Sequence, residues 1–203
     1  LLDVVLLGQG EIVNSSIFGP EWAIPTGLND YAFDPEKAKA LLAEAEWDSE
    51  KELRLTWSRG FTNVELAAPV FQQQMAEIGL KIVLDPQETT AYLDAVITNP
   101  DFDLAWFGGG SYRLDPDVSG NYYYCANHTP GGGNTTHYCN PELDELFVAG
   151  RGTPDIEQRA EIYHDVAKIL NEDVPTIFWW SNNLIWGMST RLQGVRPGPN
   201  QYI

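Results

Sequence analysis

Two closely spaced pairs of carboxylates are the residues of this sequence best suited to do chemistry. Asp101 and Asp103 flank a phenylalanine, and Asp115 and Asp117 flank a proline. Paired carboxylates serve glycoside hydrolysis as acid and base, and their oxygens also bind calcium. The Asp-Pro-Asp pattern is more often a turn, in which the first Asp caps the backbone and Pro restricts φ. If the carboxylates instead do chemistry, the protein would be a secreted carbohydrate-active enzyme or accessory binding module. It would use Asp115, Asp117 and aromatic rings, and we keep it as the alternative to a protein that only binds a solute.

Other catalytic signatures are incomplete in this sequence. Residues 109–113 approach the Gly-x-Ser-x-Gly nucleophile elbow, but Arg113 occupies the place of the second glycine. His128, His137 and His164 form no helical zinc motif, and no glycine run is followed by the Lys-Ser or Lys-Thr of a phosphate loop. We therefore expect that the protein is not an enzyme and uses no metal and no cofactor.

Cys125 and Cys139 flank a polar loop over residues 126–138 that contains three consecutive glycines. Such a loop buries too little apolar surface to hold its own shape, so a disulfide across it would stabilise the fold. Two free thiols are one alternative, and a metal pair completed by His128 and His137 is another, although the spacing matches no standard zinc pattern. A disulfide indicates an oxidising compartment.

The charge of the chain restricts its partners. The 203 residues include 12 basic and 29 acidic side chains, for a formal net charge of -17. Such a surface repels nucleic-acid phosphates, so we expect no nucleic-acid partner. The hydrophobic fraction of 43% suffices for a globular core, and no apolar run approaches the roughly 18 residues of a membrane span. Residues 1–7 resemble the tail of a helix without its start, which leads us to expect a fragment of a longer protein.

Helical and strand periodicities alternate along the first half of the chain. Asp34 before Pro35 predicts a helix start, Gly79 a helix end and Pro86 a strand end. Three helix–strand repeats predict an α/β lobe with helices packed on a sheet. The predicted helices cover residues 34–45, 64–79, 90–98, 141–149 and 155–172, and the predicted strands cover residues 53–57, 80–84, 102–106, 175–180 and 184–188. In the second helix, the residues expected to face the core are Leu66, Val70, Met75 and Ile78.

Aromatic residues follow the predicted strand ends. They are Trp106, Phe107, Tyr112, Tyr122, Tyr123, Tyr124, Trp179 and Trp180. Open α/β sheets bind ligands beyond the carboxyl ends of their strands, where aromatic faces suit peptides, sugars or amphipathic solutes. We assign Phe102, Trp179 and one of the three consecutive tyrosines to the core instead.

Five segments of the sequence, in the same order, resemble the extracellular solute-binding proteins of family 5, which serve dipeptide, oligopeptide, nickel and some oligosaccharide ABC importers. The first carries the stretch Tyr-Ala-Phe-Asp-Pro-Glu-Lys-Ala-Lys-Ala-Leu-Leu-Ala-Glu-Ala. The segments cover residues 31–45, residues 71–82, residues 101–106 with 115–117, residues 138–146, and residues 159–163 with 172–177. Together they extend over nearly the whole chain.

The resemblance implies a periplasmic-binding-protein-like type II lobe of the α/β class, with helices on a mixed sheet. It implies the substrate-binding component of an ABC importer, which captures a peptide, an oligosaccharide, a metal chelate or a related solute by closure of two lobes. Residues 1–30 would be a flank toward the first lobe, residues 31–181 the C-terminal ligand-binding lobe, and residues 182–203 the return segment. The receptor would be a periplasmic or extracellular monomer, with a lipoprotein anchor as one option, and would dock on permease subunits. The paired cysteines also resemble a disulfide of dipeptide-type members.

We predict that solute contacts the glycine-rich loop after the third strand of the lobe. An aromatic face would stack on the solute, a hydroxyl and the glycine amides would donate hydrogen bonds, and an arginine would bind a carboxylate or a hydroxyl-rich group. The predicted site comprises Trp106, Gly108, Gly109, Ser111, Tyr112 and Arg113. Family receptors for peptides hold the free amino group with an Asp in this loop, whereas the matching positions here are Gly109 or Tyr112. The alternative is that Trp106 is core and that Arg113 pairs with Asp115 or Asp117.

Overall fold

The computed structural model describes residues 5–13, 17, 19–107, 115–182 and 187–194. The chain divides into two compact units: unit 1 consists of Leu1–Leu7 and Tyr31–Gly108, and unit 2 of Gly8–Asp30 and Gly109–Ile203. In chain order the strands and α-helices are β1 (Gly10–Ile12), α1 (Pro35–Glu44), β2 (Glu52–Ser58), α2 (Thr62–Glu77), β3 (Lys81–Gln87), α3 (Thr89–Leu93), β4 (Leu104–Ala105), α4 (Gly120–Tyr123), α5 (Pro141–Gly152), α6 (Ile156–Asp173) and β5 (Trp180–Asn182).

Unit 1 contains a parallel sheet in the order β3-β2-β4. In β2, Leu55 lies beside Leu84 of β3 and Leu104 of β4. The alternation of apolar and polar residues predicts a strand buried on one face, but residues 55–58 are buried without alternation. The half-buried interpretation is wrong for this part of β2 because the strand is central and both of its faces are covered.

The first helix of unit 1 begins where its capping residue predicts, but the second does not bury the expected face. The side chain of Asp34 accepts a hydrogen bond from the Lys37 amide at the start of α1. In α2 the expected core residue Leu66 is 54% exposed. The buried stripe instead consists of Val64, Ala67, Ala68 and Phe71. Small alanines at the centre of this stripe let α2 approach its neighbours closely, which decides the face that is buried.

The ends of the strands of unit 1 also differ from the sequence pattern. Pro86 does not end β3, which continues to Gln87. A proline is tolerated there because β3 is an edge strand. The predicted helix over residues 90–98 is α3 followed by a π-helical turn, Asp94–Thr98. These elements place the ends of β2, β3 and β4 at one edge of the sheet.

Unit 2 is organised around the antiparallel helices α5 and α6 and a short antiparallel pair of strands, β1 and β5. Asn140 and Asp155 cap the two helices by accepting amide hydrogen bonds from their first turns. The core consists of Ile17, Ala23, Tyr123, Leu143, Phe147, Tyr163, Val166, Ala167 and Leu170. Tyr123 is thus the core tyrosine expected among the three consecutive ones.

Of the predicted strand over residues 175–180, only Trp180 lies in β5, and most of the strand predicted over residues 184–188 lies outside the described residues.

The cysteine loop of unit 2 is closed by the predicted disulfide between Cys125 and Cys139, whose Cα atoms are 4.6 Å apart. Inside the loop, the fully buried side chain of Asn134 donates to the carbonyl oxygens of Tyr124 at 3.1 Å and Tyr138 at 2.8 Å. Asn134 therefore satisfies backbone acceptors that the short glycine-rich loop could not pair by itself.

The histidines of this loop take part in the same packing. The rings of His128 and His137 stack with centroids 4.8 Å apart. A ring nitrogen of His128 lies 3.4 Å from the Tyr138 carbonyl, and one of His137 lies 3.0 Å from the Thr129 hydroxyl. Since the two cysteines form the disulfide, the alternative of a metal pair completed by these histidines is wrong.

Two adjacent glycines of the loop offer a matched test of its packing. A Cβ atom at Gly132 would collide with the backbone of Asn127, whereas one at Gly131 would lie 3.7 Å from the His128 carbonyl oxygen, an ordinary contact. We expect Gly132→Ala to lower the free energy of unfolding by about 1–3 kcal/mol, as overpacking typically does, and Gly131→Ala to change it little. Urea denaturation of the oxidised protein measures both. Equal effects of the two substitutions would contradict the close approach of residues 127 and 132.

Candidate ligand-binding edge

The carboxyl ends of the three parallel strands of unit 1 meet at one edge of the sheet, which we call the carboxyl edge. It is formed by Ser58, the last residue of β2, and by the residues that follow the strands: Arg59 and Gly60 after β2, Glu88 and Thr89 after β3, and Trp106 and Phe107 after β4. Open α/β sheets bind their ligands beyond such an edge, where the loops that leave the strands meet.

Hydrogen bonds between the first two strand exits hold the carboxyl edge together. The hydroxyls of Ser58 and Thr89 lie 2.9 Å apart, and the amide of Arg59 donates to the Gln87 carbonyl at 2.8 Å. Gly60 has a φ of +93°, a left-handed conformation that glycine adopts without strain. The chain therefore turns sharply out of β2 and leaves the Arg59 side chain at the surface.

Trp106 is half-buried at the exit of β4, and its backbone is bonded on both sides. Its amide donates to the Thr56 carbonyl at 2.8 Å, and its carbonyl accepts from the Tyr92 hydroxyl at 3.1 Å. Burial raises the pKa of Tyr92 to about 12, so the phenol is protonated at neutral pH and acts as the donor. The structure thus places one predicted site residue, Trp106, at the carboxyl edge.

The other predicted site residues lie outside the described residues. They are Gly108, Gly109, Ser111, Tyr112 and Arg113. Their contact with a ligand stays a prediction, as does that of Trp106. Asp115 and Asp117 both have arginine partners among the described residues, and the alternative that Arg113 pairs with one of them stays a prediction.

Sequence reasoning missed an exposed cation and an exposed ring at the exit of β2. The guanidinium of Arg59 lies 3.7 Å from the Glu88 carboxylate, and both side chains are more than half exposed. Such an exposed pair contributes little to stability, so a ligand carboxylate could replace Glu88 at small cost. Phe61 and Phe107 are also about half exposed. The available signal was the position of Arg59 and Phe61 directly after a predicted strand, the rule that we applied only to the third strand.

The candidate catalytic carboxylates are all held by arginines. Asp115 accepts two hydrogen bonds from Arg159, at 2.7 and 3.0 Å, and Asp117 accepts two from Arg151, at 2.9 and 3.4 Å. Asp115 also caps the 3-10 turn Pro116–Ser119 by accepting from the Asp117 amide. The Asp-Pro-Asp motif is therefore the turn that its pattern favours.

The other carboxylate pair has a similar structural role in unit 1. A carboxylate oxygen of Asp101 lies 2.8 Å from the Arg54 guanidinium, and Asp103 accepts from the Arg54 amide at 2.8 Å. Both contacts fasten the segment before β4 to β2. Each of the four carboxylates therefore contacts a backbone or side-chain group of an arginine.

Arg159 occupies a mostly buried position in unit 2, with 17% of its side chain exposed. Besides Asp115, it donates to the Gly150 carbonyl at 2.8 Å and lies over the rings of Trp22 and Tyr163. The hydrogen bond from Arg159 lowers the pKa of Asp115 below its ordinary value. Burial raises the pKa of Tyr163 to about 12.

The Arg159–Asp115 pair makes the stability of unit 2 dependent on pH. Since folding lowers the pKa of Asp115, the pair stabilises the folded state above the ordinary value of 3.8 and loses that contribution as the pH falls through the lower folded-state value. We expect Asp115→Asn to lower the free energy of unfolding by about 1–2 kcal/mol at pH 7, a range that allows for solvent screening. Urea denaturation at pH 7 and near pH 3 should show the deficit shrinking at the lower pH. A deficit that is the same at both values would contradict the assignment.

Within the described part of the chain, no group of three or more His, Cys, Asp or Glu side chains is arranged to hold a metal ion. Among the same residues, no helix combines the length and the apolar character needed to cross a membrane.

Curated relatives of this chain are named as peptide-binding proteins. A dipeptide-binding protein of Pseudomonas aeruginosa is 27% identical over 205 residues, which cover 98% of this chain and 38% of the relative. The dipeptide-binding protein of Escherichia coli K12 is 25% identical over 208 residues, which cover 100% of this chain and 37% of that relative. The chain therefore spans less than two fifths of the length of these relatives.

Solved structures share the fold. An ABC transporter substrate-binding protein of Listeria monocytogenes, CtaP, superposes with a TM-score of 0.74 at 26% identity, over 85% of this chain and 35% of that one. The oligopeptide-binding protein AppA of Bacillus subtilis, in complex with a nonapeptide, gives a TM-score of 0.80 at 24% identity, over 98% and 42% of the two chains. These superpositions confirm the predicted periplasmic-binding-protein-like α/β fold.

A family model provides the assignment. The model of the bacterial extracellular solute-binding proteins, family 5 Middle, matches residues 1–131, which is more than half of the chain and includes all of the carboxyl edge. The predicted resemblance is confirmed, and the chain belongs to the family 5 bacterial extracellular solute-binding proteins.

Proposed function

We propose that this chain is a ligand-binding lobe of an exported receptor, which captures an extracytoplasmic solute and delivers it to an ABC importer. The observation that carries the proposal is the family match over residues 1–131, which includes an open carboxyl edge with a fixed backbone. Residues 31–181 would form the C-terminal lobe, with residues 1–30 and 182–203 leading toward the first lobe. The receptor would act in the periplasm or outside the cell, as a monomer that docks on permease subunits.

The solute that the carboxyl edge suits best is a peptide. The relatives named above bind dipeptides or oligopeptides according to their names. Arg59 offers a charge for a terminal carboxylate, and the exposed rings of Phe61 and Phe107 offer surface for apolar side chains. An oligosaccharide or a metal chelate of an amino acid would also use the aromatic faces and the arginine, so the preference for a peptide rests on the names of the relatives.

Capture would proceed by closure of two lobes on the solute. A solute that contacts both lobes binds the closed state more tightly than the open state and shifts the population toward closure, which the permease can recognise. One lobe supplies only part of these contacts, so we expect the isolated chain to bind weakly. In this mechanism the loop after β4 supplies Trp106, Gly108, Gly109, Ser111, Tyr112 and Arg113 to the solute.

Catalysis is not part of the proposed function. The alternative hypothesis of a carbohydrate-active enzyme requires at least one of Asp115 and Asp117 to exchange protons with a substrate. Both are engaged with arginines, and the hydrogen bond to Arg159 keeps the pKa of Asp115 low, which is unfavourable for a general acid at neutral pH.

Aromatic truncation tests the binding loop. The full-length receptor is first screened by native mass spectrometry against a tryptic digest of casein, and a retained peptide is then titrated by calorimetry. We expect Trp106→Ala and Tyr112→Ala to weaken binding by up to about a hundredfold, the usual effect of removing an aromatic anchor. Phe33→Ala, which removes a ring that is 76% exposed in unit 1, is the control and should leave affinity unchanged. If both loop variants fold and bind as tightly as the wild type, the loop is not the site.

Incubation with substrates tests the absence of catalysis. We expect no hydrolysis of casein peptides or of a panel of aryl glycosides by the full-length receptor, since Asp115 and Asp117 are engaged with arginines and the described residues contain no metal cluster. Product formation is followed by mass spectrometry and by release of the aryl chromophore. Turnover that Asp115→Asn abolishes in a folded variant would support the enzyme hypothesis instead.

A further inference from the structure

Tyr92 is a buried residue that contacts the carboxyl edge through a single directional bond. Its side chain is 5% exposed, and its hydroxyl donates to the carbonyl oxygen of Trp106 at 3.1 Å. On the other side, the Trp106 amide donates to the Thr56 carbonyl of β2 at 2.8 Å. The backbone of Trp106 is therefore held between the sheet and a side chain of α3.

The helix that carries Tyr92 is fastened to β2 at its start and continues into a turn that is closed by its own hydrogen bonds. At its start, the Thr89 hydroxyl lies 2.9 Å from that of Ser58 in β2. At its end, the π-helical turn is closed by the Asn99 amide, which donates to the Asp94 carbonyl at 2.8 Å, while the Asn99 side chain donates to the Asp94 carboxylate at 3.0 Å. Val96, within this turn, is completely buried. An anchored helix can transmit its position to Trp106 through one hydrogen bond.

We infer that Tyr92 is a positioning residue for solute binding, which sets where Trp106 and the chain leaving β4 are presented without touching the solute. The inference rests on the proposed function, because it assumes that Trp106 contacts the solute. It assigns a role in binding to a side chain that lies within the core.

The chemistry of the phenol suits this role. With its pKa raised to about 12 by burial, Tyr92 keeps its proton across the physiological range and donates a permanent hydrogen bond. Phenylalanine at this position would keep the packing of the ring but leave the Trp106 carbonyl without this donor. The conservative change Tyr92→Phe therefore removes the positioning bond while leaving the shape of the core unchanged.

Hydrogen exchange and binding together test the inference in the full-length receptor. Exchange of the segment covering residues 102–107 is measured by mass spectrometry, and affinity is measured for the casein peptide that the wild type retains. We expect Tyr92→Phe to speed exchange in this segment about fivefold and to weaken binding about fivefold, the effect of one neutral hydrogen bond. The control Tyr163→Phe removes a buried hydroxyl of unit 2, which lies 3.5 Å from Arg159. It should leave both quantities unchanged.

The outcomes separate the inference from the proposed function. Unchanged exchange in Tyr92→Phe would overturn the inference. Unchanged peptide affinity of Tyr92→Phe would also overturn it if Trp106→Ala binds the same peptide poorly. If the wild type retains no casein peptide, the proposed peptide-binding function fails. In that case faster exchange over residues 102–107 would still support the hold of Tyr92 on Trp106, and unchanged exchange would still overturn it.

Discussion

The burial of β2 on both faces is the constraint on which unit 1 depends. Polar groups in a buried strand must find partners, because water cannot reach them. The Thr56 hydroxyl donates to the Asp85 carbonyl, the Thr56 carbonyl accepts from Trp106, and the Ser58 hydroxyl pairs with that of Thr89. Satisfying a buried strand therefore ties together the exits of all three strands. The backbone of the candidate binding edge is therefore hydrogen-bonded in the absence of a ligand.

In unit 2 a single arginine has a comparable role. Arg159 joins the 3-10 turn at Asp115, the α5 carbonyl of Gly150 and the ring of Trp22. A buried guanidinium is stable only when its donors are paired, and the bidentate contact with Asp115 meets that need. The same contact lowers the pKa of Asp115 below its ordinary value. The position of the 3-10 turn and the electrostatics of this carboxylate thus have one physical cause.

The cysteine loop shows how a weakly apolar segment can still be ordered. The disulfide closes the loop, but the buried amide of Asn134 and the close approach at Gly132 define its interior. Tyr138, the last residue of the loop, connects it to a helix, because its hydroxyl donates to Asp173 at the end of α6. Covalent closure and polar packing together compensate for the small hydrophobic content of this segment.

The sequence by itself determined the features that depend on neighbours along the chain. Asp34 before Pro35 and Asp155 before α6 mark helix starts because a cap bonds amides two or three residues away. The alternation of helices and strands indicated the fold class, and the ordered motifs indicated the family. The two cysteines around a glycine-rich loop favoured the disulfide.

Only the tertiary structure decided the features that depend on residues distant in sequence. Leu66 fits a helical apolar pattern, yet the sheet meets the opposite stripe of α2, so Leu66 is exposed. The alternation within β2 could not show that residues 55–58 are buried on both faces of the strand. Asp115 resembles a catalytic acid until Arg159, 44 residues away, binds it. A local sequence pattern predicts the secondary structure that a segment can form. Tertiary packing determines which face of it is buried and which residue pairs with each charged group.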